Sequence, residues 1–76
     1  MNLTPAQLRL LRDVANVPDG LLPTWEYLRK RGHRETTRIR LCSDKFLYGM
    51  HGGYGQIILW LGDKGRAALA EAEKRK

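Results

Sequence analysis

Three side chains of this 76-residue chain are of types that bind metals or act in nucleophilic catalysis: His33, Cys42 and His51. Their spacing matches no standard metal site, and a structural zinc ion is normally held by four ligands. A Cys–His pair also needs a third group to orient the histidine and donors to stabilise an oxyanion. Nothing in the sequence supplies either, so we expect no metal, no cofactor and no enzymatic activity.

A cluster of positive charge is the second feature with chemical potential. The chain has 14 Lys and Arg against 8 Asp and Glu, and its formal net charge is +6. Residues 29 to 40 hold a dense group of cations opposed only by Glu35, namely Arg29, Lys30, Arg31, Arg34, Arg38 and Arg40. Arginine can bond both acceptors of guanine in the major groove, and threonine can contact a phosphate or a thymine methyl. The cluster, with Thr36 and Thr37 inside it, therefore predicts a nucleic-acid interface; the alternative is a solvated basic face.

Length and composition restrict the classes of protein. A chain of this size is one domain with one small core, because it buries only about 60% of its unfolded surface. No apolar run could span a membrane, and no basic segment followed by an apolar block marks a secretory signal. The single cysteine cannot form an internal disulfide, which fits a reducing compartment. We expect a cytoplasmic protein with no membrane partner.

The elements that must position the cluster begin with a helix near the N-terminus. Thr4 is a good N-cap, Pro5 suits the first helical position and Gln7 completes a capping box. The apolar stripe of this helix is expected to comprise Leu8, Leu11, Val14 and Ala15. Asn16 to Gly20 should end the helix.

The cluster itself spans the end of a second helix and an ambiguous segment. The second helix is capped at Thr24 or begins at Pro23, and Gly32 is a natural end for it. Cations in its last turn also suit the helix dipole, which is a purely local explanation for part of the cluster. Residues 33 to 44 alternate like a strand, yet their apolar residues also recur at helical spacing. We favour a helix over 34 to 44, because the segment then completes a helix-turn-helix; the alternative is a three-stranded sheet.

A β-hairpin is predicted over residues 45 to 61, with Gly52-Gly53 as its two-residue turn. This register pairs Tyr48 with Ile57. The face that then packs on the core carries Phe46, Tyr48, Met50, Ile57, Leu59 and Leu61. The outer face includes three apolar residues that we expect to be covered by a protein partner, a second copy of the chain or the C-terminal helix, namely Leu47, Ile58 and Trp60. An alanine-rich helix follows.

The resulting order, helix, helix, turn, helix, strand, wing, strand, helix, resembles the winged helix-turn-helix domains of bacterial transcriptional regulators, particularly the multiple-antibiotic-resistance regulator (MarR-like) type. The opening segment Leu3-Thr4-Pro5-Ala6-Gln7-Leu8 is similar to the first helix of that family. The segment Leu59-Trp60-Leu61-Gly62-Asp63-Lys64-Gly65-Arg66-Ala67-Ala68-Leu69 looks like its wing exit. Gly62 stands where the family usually has threonine, so Asp63 would have to cap the last helix.

The resemblance implies an α+β fold, a single small winged-helix domain over residues 1–76 with three helices, a β-hairpin wing and a C-terminal helix. It implies that the third helix enters the major groove of double-stranded DNA while the wing contacts the backbone or minor groove. Carried over by position, the helix contributes Arg34, Thr36, Thr37, Arg38 and Arg40. His51 and Tyr54 would lie at the wing tip.

We therefore expect a small DNA-binding protein, a transcriptional regulator of the size found among phage or mobile-element products, in which Arg29, Lys30 and Arg31 add to the basic surface. The alternative is a protein–protein interaction module that keeps the winged-helix fold, such as a phage-type inhibitor or adaptor of a host protein complex. In that alternative the outer hairpin face, not the basic cluster, is the functional surface.

Overall fold

The computed structural model describes residues 3–74, which form four helices and one antiparallel β-hairpin. In chain order the elements are α1 (Pro5–Ala15), α2 (Trp25–Lys30), α3 (Glu35–Ser43), β1 (Leu47–His51), β2 (Ile57–Leu61) and α4 (Asp63–Lys74). The α+β class is confirmed, and the ambiguous segment is a helix as favoured. None of the helices in the described range is long and apolar enough to cross a membrane.

The first helix begins where its cap signals predict. The Thr4 hydroxyl accepts a hydrogen bond from the Gln7 N–H at 3.1 Å, and the Gln7 side chain accepts one from the Thr4 N–H at 2.9 Å. The predicted stripe is partly wrong, because α1 buries Leu10, Leu11 and Val14, while Leu8 is half-buried and Ala15 exposed. The helix packs against all three other helices and β2, so its buried face is wider and turned toward Leu10.

The hairpin forms in the predicted region with a different register. Tyr48 lies opposite Trp60, not Ile57, and the loop between the strands runs from 52 to 56. A turn of 3-10 helix fills this loop, and the positive φ angles fall at Tyr54 (63°) and Gly55 (74°) instead of Gly52-Gly53. The observed partner of Tyr48, residue 60, lies three residues beyond the predicted partner, residue 57. An odd shift turns every β1 side chain to the opposite face relative to β2.

The register change reverses the assignment of β1 and leaves that of β2 intact. Leu59 and Leu61 are buried and Trp60 is exposed, as predicted. Leu47 is fully buried, so its assignment to a partner-binding face is wrong. Tyr48 and Met50 are exposed, so their assignment to the core is also wrong.

The end of α3 explains why Leu47 is buried. Lys45 has a φ of 66°, and the N–H groups of Lys45 and Phe46 donate to the carbonyls of Cys42 and Leu41, at 3.1 and 2.9 Å. This is a Schellman motif, whose left-handed residue turns the chain sharply and brings the residue after it onto the helix. Phe46 packs there, and the adjacent Leu47 enters the core from the start of β1.

A short segment between α1 and α2 extends the hairpin on its other side. Thr24 forms an isolated antiparallel bridge with Ile58, and the Leu59 N–H donates to the Pro23 carbonyl at 2.9 Å. The core lies between this small sheet and the helices. It comprises Leu10, Leu11, Val14, Leu28, Leu41, Phe46, Leu47, Leu59, Leu61 and Leu69.

Two glycines allow α4 to start close to the hairpin. A Cβ on Gly65 would overlap the carbonyl oxygen of Phe46. A Cβ on Gly62 would lie 2.5 Å from Cε2 of Tyr48, so a threonine there would displace that ring. Helix α4 begins at Asp63, which places this residue inside the first turn instead of at the cap.

Candidate nucleic-acid interface

Helices α2 and α3 are joined by the short segment 31 to 34. Thr24 caps α2 by accepting a hydrogen bond from the Tyr27 N–H at 3.2 Å. Gly32 ends the helix as predicted, with a φ of 96° that favours glycine. The next residue, His33, is buried.

A carboxylate on α1 holds this turn in place. Nε2 of His33 lies 2.6 Å from Oδ2 of Asp13, and Nε of Arg31 donates to the same oxygen at 3.2 Å. Burial alone would raise the pKa of Asp13, but the hydrogen bonds from His33 and Arg31, with their charges, outweigh it and lower that pKa. Asp13, Arg31 and His33 thus connect the turn between α2 and α3 to α1, and we call these three residues the latch.

The outer face of α3 is open to solvent. Its exposed residues, together with the residue that precedes the helix, are Arg34, Glu35, Thr36, Ile39, Arg40 and Ser43. The opposite side carries the fully buried Leu41 and the half-buried Thr37 and Cys42. Of the side chains predicted to touch DNA from this helix, Arg34, Thr36 and Arg40 lie on the outer face, whereas Thr37 faces the N-terminal end of α1.

Arg38 joins α3 to α2 instead of pointing outward. Its guanidinium carbon lies 5.0 Å from the centre of the Trp25 ring, and Nη2 donates to Glu35 at 3.1 Å. The side chain is only 14% exposed. Such packing stabilises the pair of helices through cation–π attraction and apolar contact of the arginine stem. The position leaves Arg38 poorly placed to contact bases.

The neighbouring thiol of Cys42 shows no sign of activation. Partial burial raises its pKa, and the charge of Arg38 offsets that only in part. A thiol with a raised pKa is a weak nucleophile, because the thiolate is the reactive form. Within residues 3–74, no three His, Cys, Asp or Glu side chains cluster closely enough to hold a metal ion.

The remaining cations of the cluster differ in how firmly they are held. Lys30 pairs with Glu26 at 3.8 Å and Arg40 with Asp44 at 3.3 Å, and all four side chains are well exposed. Exposed pairs of this kind contribute about 0 to 1 kcal/mol, so a phosphate can replace the carboxylate. Two further cations, Arg29 and Arg34, form no ion pair with any carboxylate of the described chain.

The tip of the hairpin and α2 border the same small recess. Tyr54 is fully exposed at the tip, and His51 is exposed at the end of β1. A recess of about 160 Å³ lies between this tip and the start of α2, and Arg29, Tyr54 and Gln56 contribute to its walls. Two residues selected separately from the sequence are thus brought together by the fold.

Sequence reasoning missed residues on both open faces. Ile39, which was not among the predicted contact residues, is 51% exposed in the middle of the outer α3 face. On the hairpin, the rings of Tyr48 and Trp60 stack with centroids 6.0 Å apart and planes inclined by 23°. Met50 is exposed and Ile58 half-buried on this same face.

Comparison with known proteins identified no matching family model, no similar curated protein and no similar solved structure.

Proposed function

We propose that this protein is a small winged-helix DNA-binding protein, in which α3 enters the major groove and the β1–β2 hairpin is the wing. The order of elements supports this proposal. A bridging segment lies between α1 and α2, a helix-turn-helix follows, and a hairpin and a last helix complete the chain. The observation that carries the proposal is the outer face of α3, which exposes Arg34, Thr36 and Arg40 to solvent while the contacts of Asp13 hold the turn.

The outer α3 face offers the contacts that base recognition requires. Arg40 can form two hydrogen bonds with guanine, Thr36 can bond a base or phosphate, and Ile39 can contact a thymine methyl. Arg34 precedes the helix and can neutralise a phosphate. The helix is held by the buried Leu41 and by Arg38, so binding requires no ordering of the backbone.

The wing and α2 would supply contacts that position the protein without reading sequence. Arg29 and Tyr54 border one recess, and each can contact a phosphate oxygen of the backbone. Such an interface acts by binding alone, as in regulation of transcription. It requires no cofactor and no catalytic group.

A salt titration tests the proposal. Binding to a labelled random DNA duplex should weaken linearly on a log–log scale with salt, because each neutralised phosphate contributes a slope of about 0.9. Arg34→Ala and Arg40→Ala should each reduce the magnitude of that slope by about 0.9, which is the contribution of one phosphate. Lys74→Ala, at the far end of α4, is the control and should leave the slope unchanged. Absence of binding at low salt would contradict the proposal.

A protein–protein interaction module is the second candidate, and the outer hairpin face is the observation that favours it. Tyr48, Met50 and Trp60 are all exposed on that face, and exposed aromatic groups of this size are typical of interfaces. This candidate predicts no salt-dependent DNA binding. It also predicts that Trp60→Ala abolishes recruitment of a host protein complex.

A further inference from the structure

An open groove of about 480 Å³ lies between the C-terminal end of α1, Pro23, β2 and α4. One wall consists of four residues of α4, namely Arg66, Leu69, Ala70 and Glu73. Trp60 contributes to the opposite wall, and 44% of its surface is exposed. The groove is therefore bordered by a partly exposed tryptophan, a residue that a small domain in water rarely leaves open without a partner.

The α4 wall has a charge pattern that is complementary to itself. Its four residues follow the spacing i, i+3, i+4, i+7 and so share one helix face. Arg66 is at one end, Glu73 is at the other, and the midpoint falls between Leu69 and Ala70. When two such helices lie antiparallel about a two-fold axis, Arg66 of each copy meets Glu73 of the other. The exposed Ala70 then lies beside the axis, whereas Leu69 is buried in the core of its own chain, and every contact occurs twice.

We propose that a second copy of this chain covers the groove, with the two α4 helices packed antiparallel across a two-fold axis. The charges are available for this contact. Within residues 3–74, Glu73 forms no ion pair and Arg66 pairs only with Asp63, at 3.1 Å, with both of these side chains mostly exposed. Ala70 has a small side chain, which allows helices to approach to about 8 Å. The apolar contact buries Trp60 at the edge of the interface.

The proposal concerns the chain without DNA, so its outcome is independent of the proposed function. Sedimentation velocity over a wide range of protein concentrations should show a monomer–dimer equilibrium for the parent chain. Arg66→Glu and Glu73→Arg should each raise the dimer Kd about tenfold or more, because each change replaces two attractive contacts with two repulsive ones. The double variant R66E/E73R keeps the net charge and should restore the parent Kd.

Two controls separate loss of the interface from loss of the fold. Thermal unfolding of each variant should match that of the parent under conditions where both are monomeric. Ala67→Glu adds a charge at an exposed α4 position outside the groove and should leave the Kd unchanged. A parent chain that stays monomeric at every concentration would overturn the proposal, as would a double variant that dimerises no better than the single ones.

Cross-linking gives a second test that leaves the charges intact. In a Cys42→Ser background, Ala70→Cys places a thiol beside the two-fold axis, and a short bismaleimide should join the two copies rapidly. Ala67→Cys in the same background should cross-link much more slowly, because that position is exposed but lies outside the groove lining. Equal rates for the two positions, or no cross-linking at either, would overturn the antiparallel arrangement.

Discussion

The region from α2 to α3 uses its charged side chains to hold the fold, whereas the hairpin leaves apolar side chains on its open face. Asp13, Arg31 and His33 fasten the turn to α1, and Arg38 packs on Trp25 between α2 and α3. On the hairpin, Tyr48 and Trp60 stack on each other in contact with solvent. Residue type alone is therefore a poor guide in both regions, because Arg31 and Arg38 are structural and Tyr48 is exposed.

The largest expected effect concerns the two faces of the hairpin. Leu47→Ala should reduce the free energy of unfolding by about 2 to 5 kcal/mol, because Leu47 is fully buried in a packed core. Trp60→Ala should cost no more than about 1.5 kcal/mol in the monomer, mainly through the lost contact with Tyr48. Urea unfolding of both variants at low concentration measures the difference. A larger loss for Trp60 would contradict the observed register.

The latch should produce the next largest effect. Asp13→Asn should reduce the free energy of unfolding at neutral pH by about 1 to 3 kcal/mol, because it removes a charged acceptor shared by His33 and Arg31. Glu26→Gln is a matched control on an exposed pair and should change stability by less than about 0.5 kcal/mol.

The pH dependence of that effect has a defined direction. The pKa of Asp13 in the folded protein lies below its ordinary value of 3.8, so the unfolded chain takes up the proton first as pH falls. The stabilisation is complete well above pH 3.8 and is lost as the pH falls through the pKa of the folded state. Parent and Asp13→Asn stabilities should therefore converge in acid. A constant difference would show that the carboxylate charge is not responsible.

Substitutions of two arginines on α3 should affect the free energy of unfolding and the affinity for DNA differently. Arg38→Ala should cost about 1 to 2 kcal/mol of stability, because the side chain is packed on Trp25. Arg40→Ala should cost less than about 0.5 kcal/mol, because its pair with Asp44 is exposed. The order should reverse for DNA affinity measured on folded protein, in which Arg40→Ala has the larger effect. Equal effects of both variants on both quantities would remove the distinction between the two faces of α3.

The smallest expected effect lies at the junction of the two regions. Lys45 adopts a φ of 66° at the end of α3, which costs a residue with a Cβ about 1 kcal/mol or more. Lys45→Gly should therefore raise the free energy of unfolding by about 0.5 to 1 kcal/mol, as measured by urea unfolding. Lys64→Gly within α4 should instead lower it, because glycine is unfavourable inside a helix.

The sequence by itself determined the features that depend on neighbouring residues. Thr4 and Thr24 cap the first two helices, Gly32 ends α2, and the order of helices and strands follows from periodicity. These signals act within one or two helical turns, so no distant contact is required to interpret them. For the same reason Arg34, Thr36 and Arg40 could be selected as candidates before their exposure was established.

Only the tertiary structure decided which face each residue presents. The hairpin register depends on Phe46 and Leu47 entering the core together after α3, and the loop between the strands adapts to that constraint. Asp13 meets His33 across 20 residues of sequence, and Arg38 of α3 reaches Trp25 at the start of α2 only in the folded chain. Contacts between distant segments depend on how the whole chain buries its apolar residues. They therefore cannot be predicted from the spacing of residues within one helix or strand.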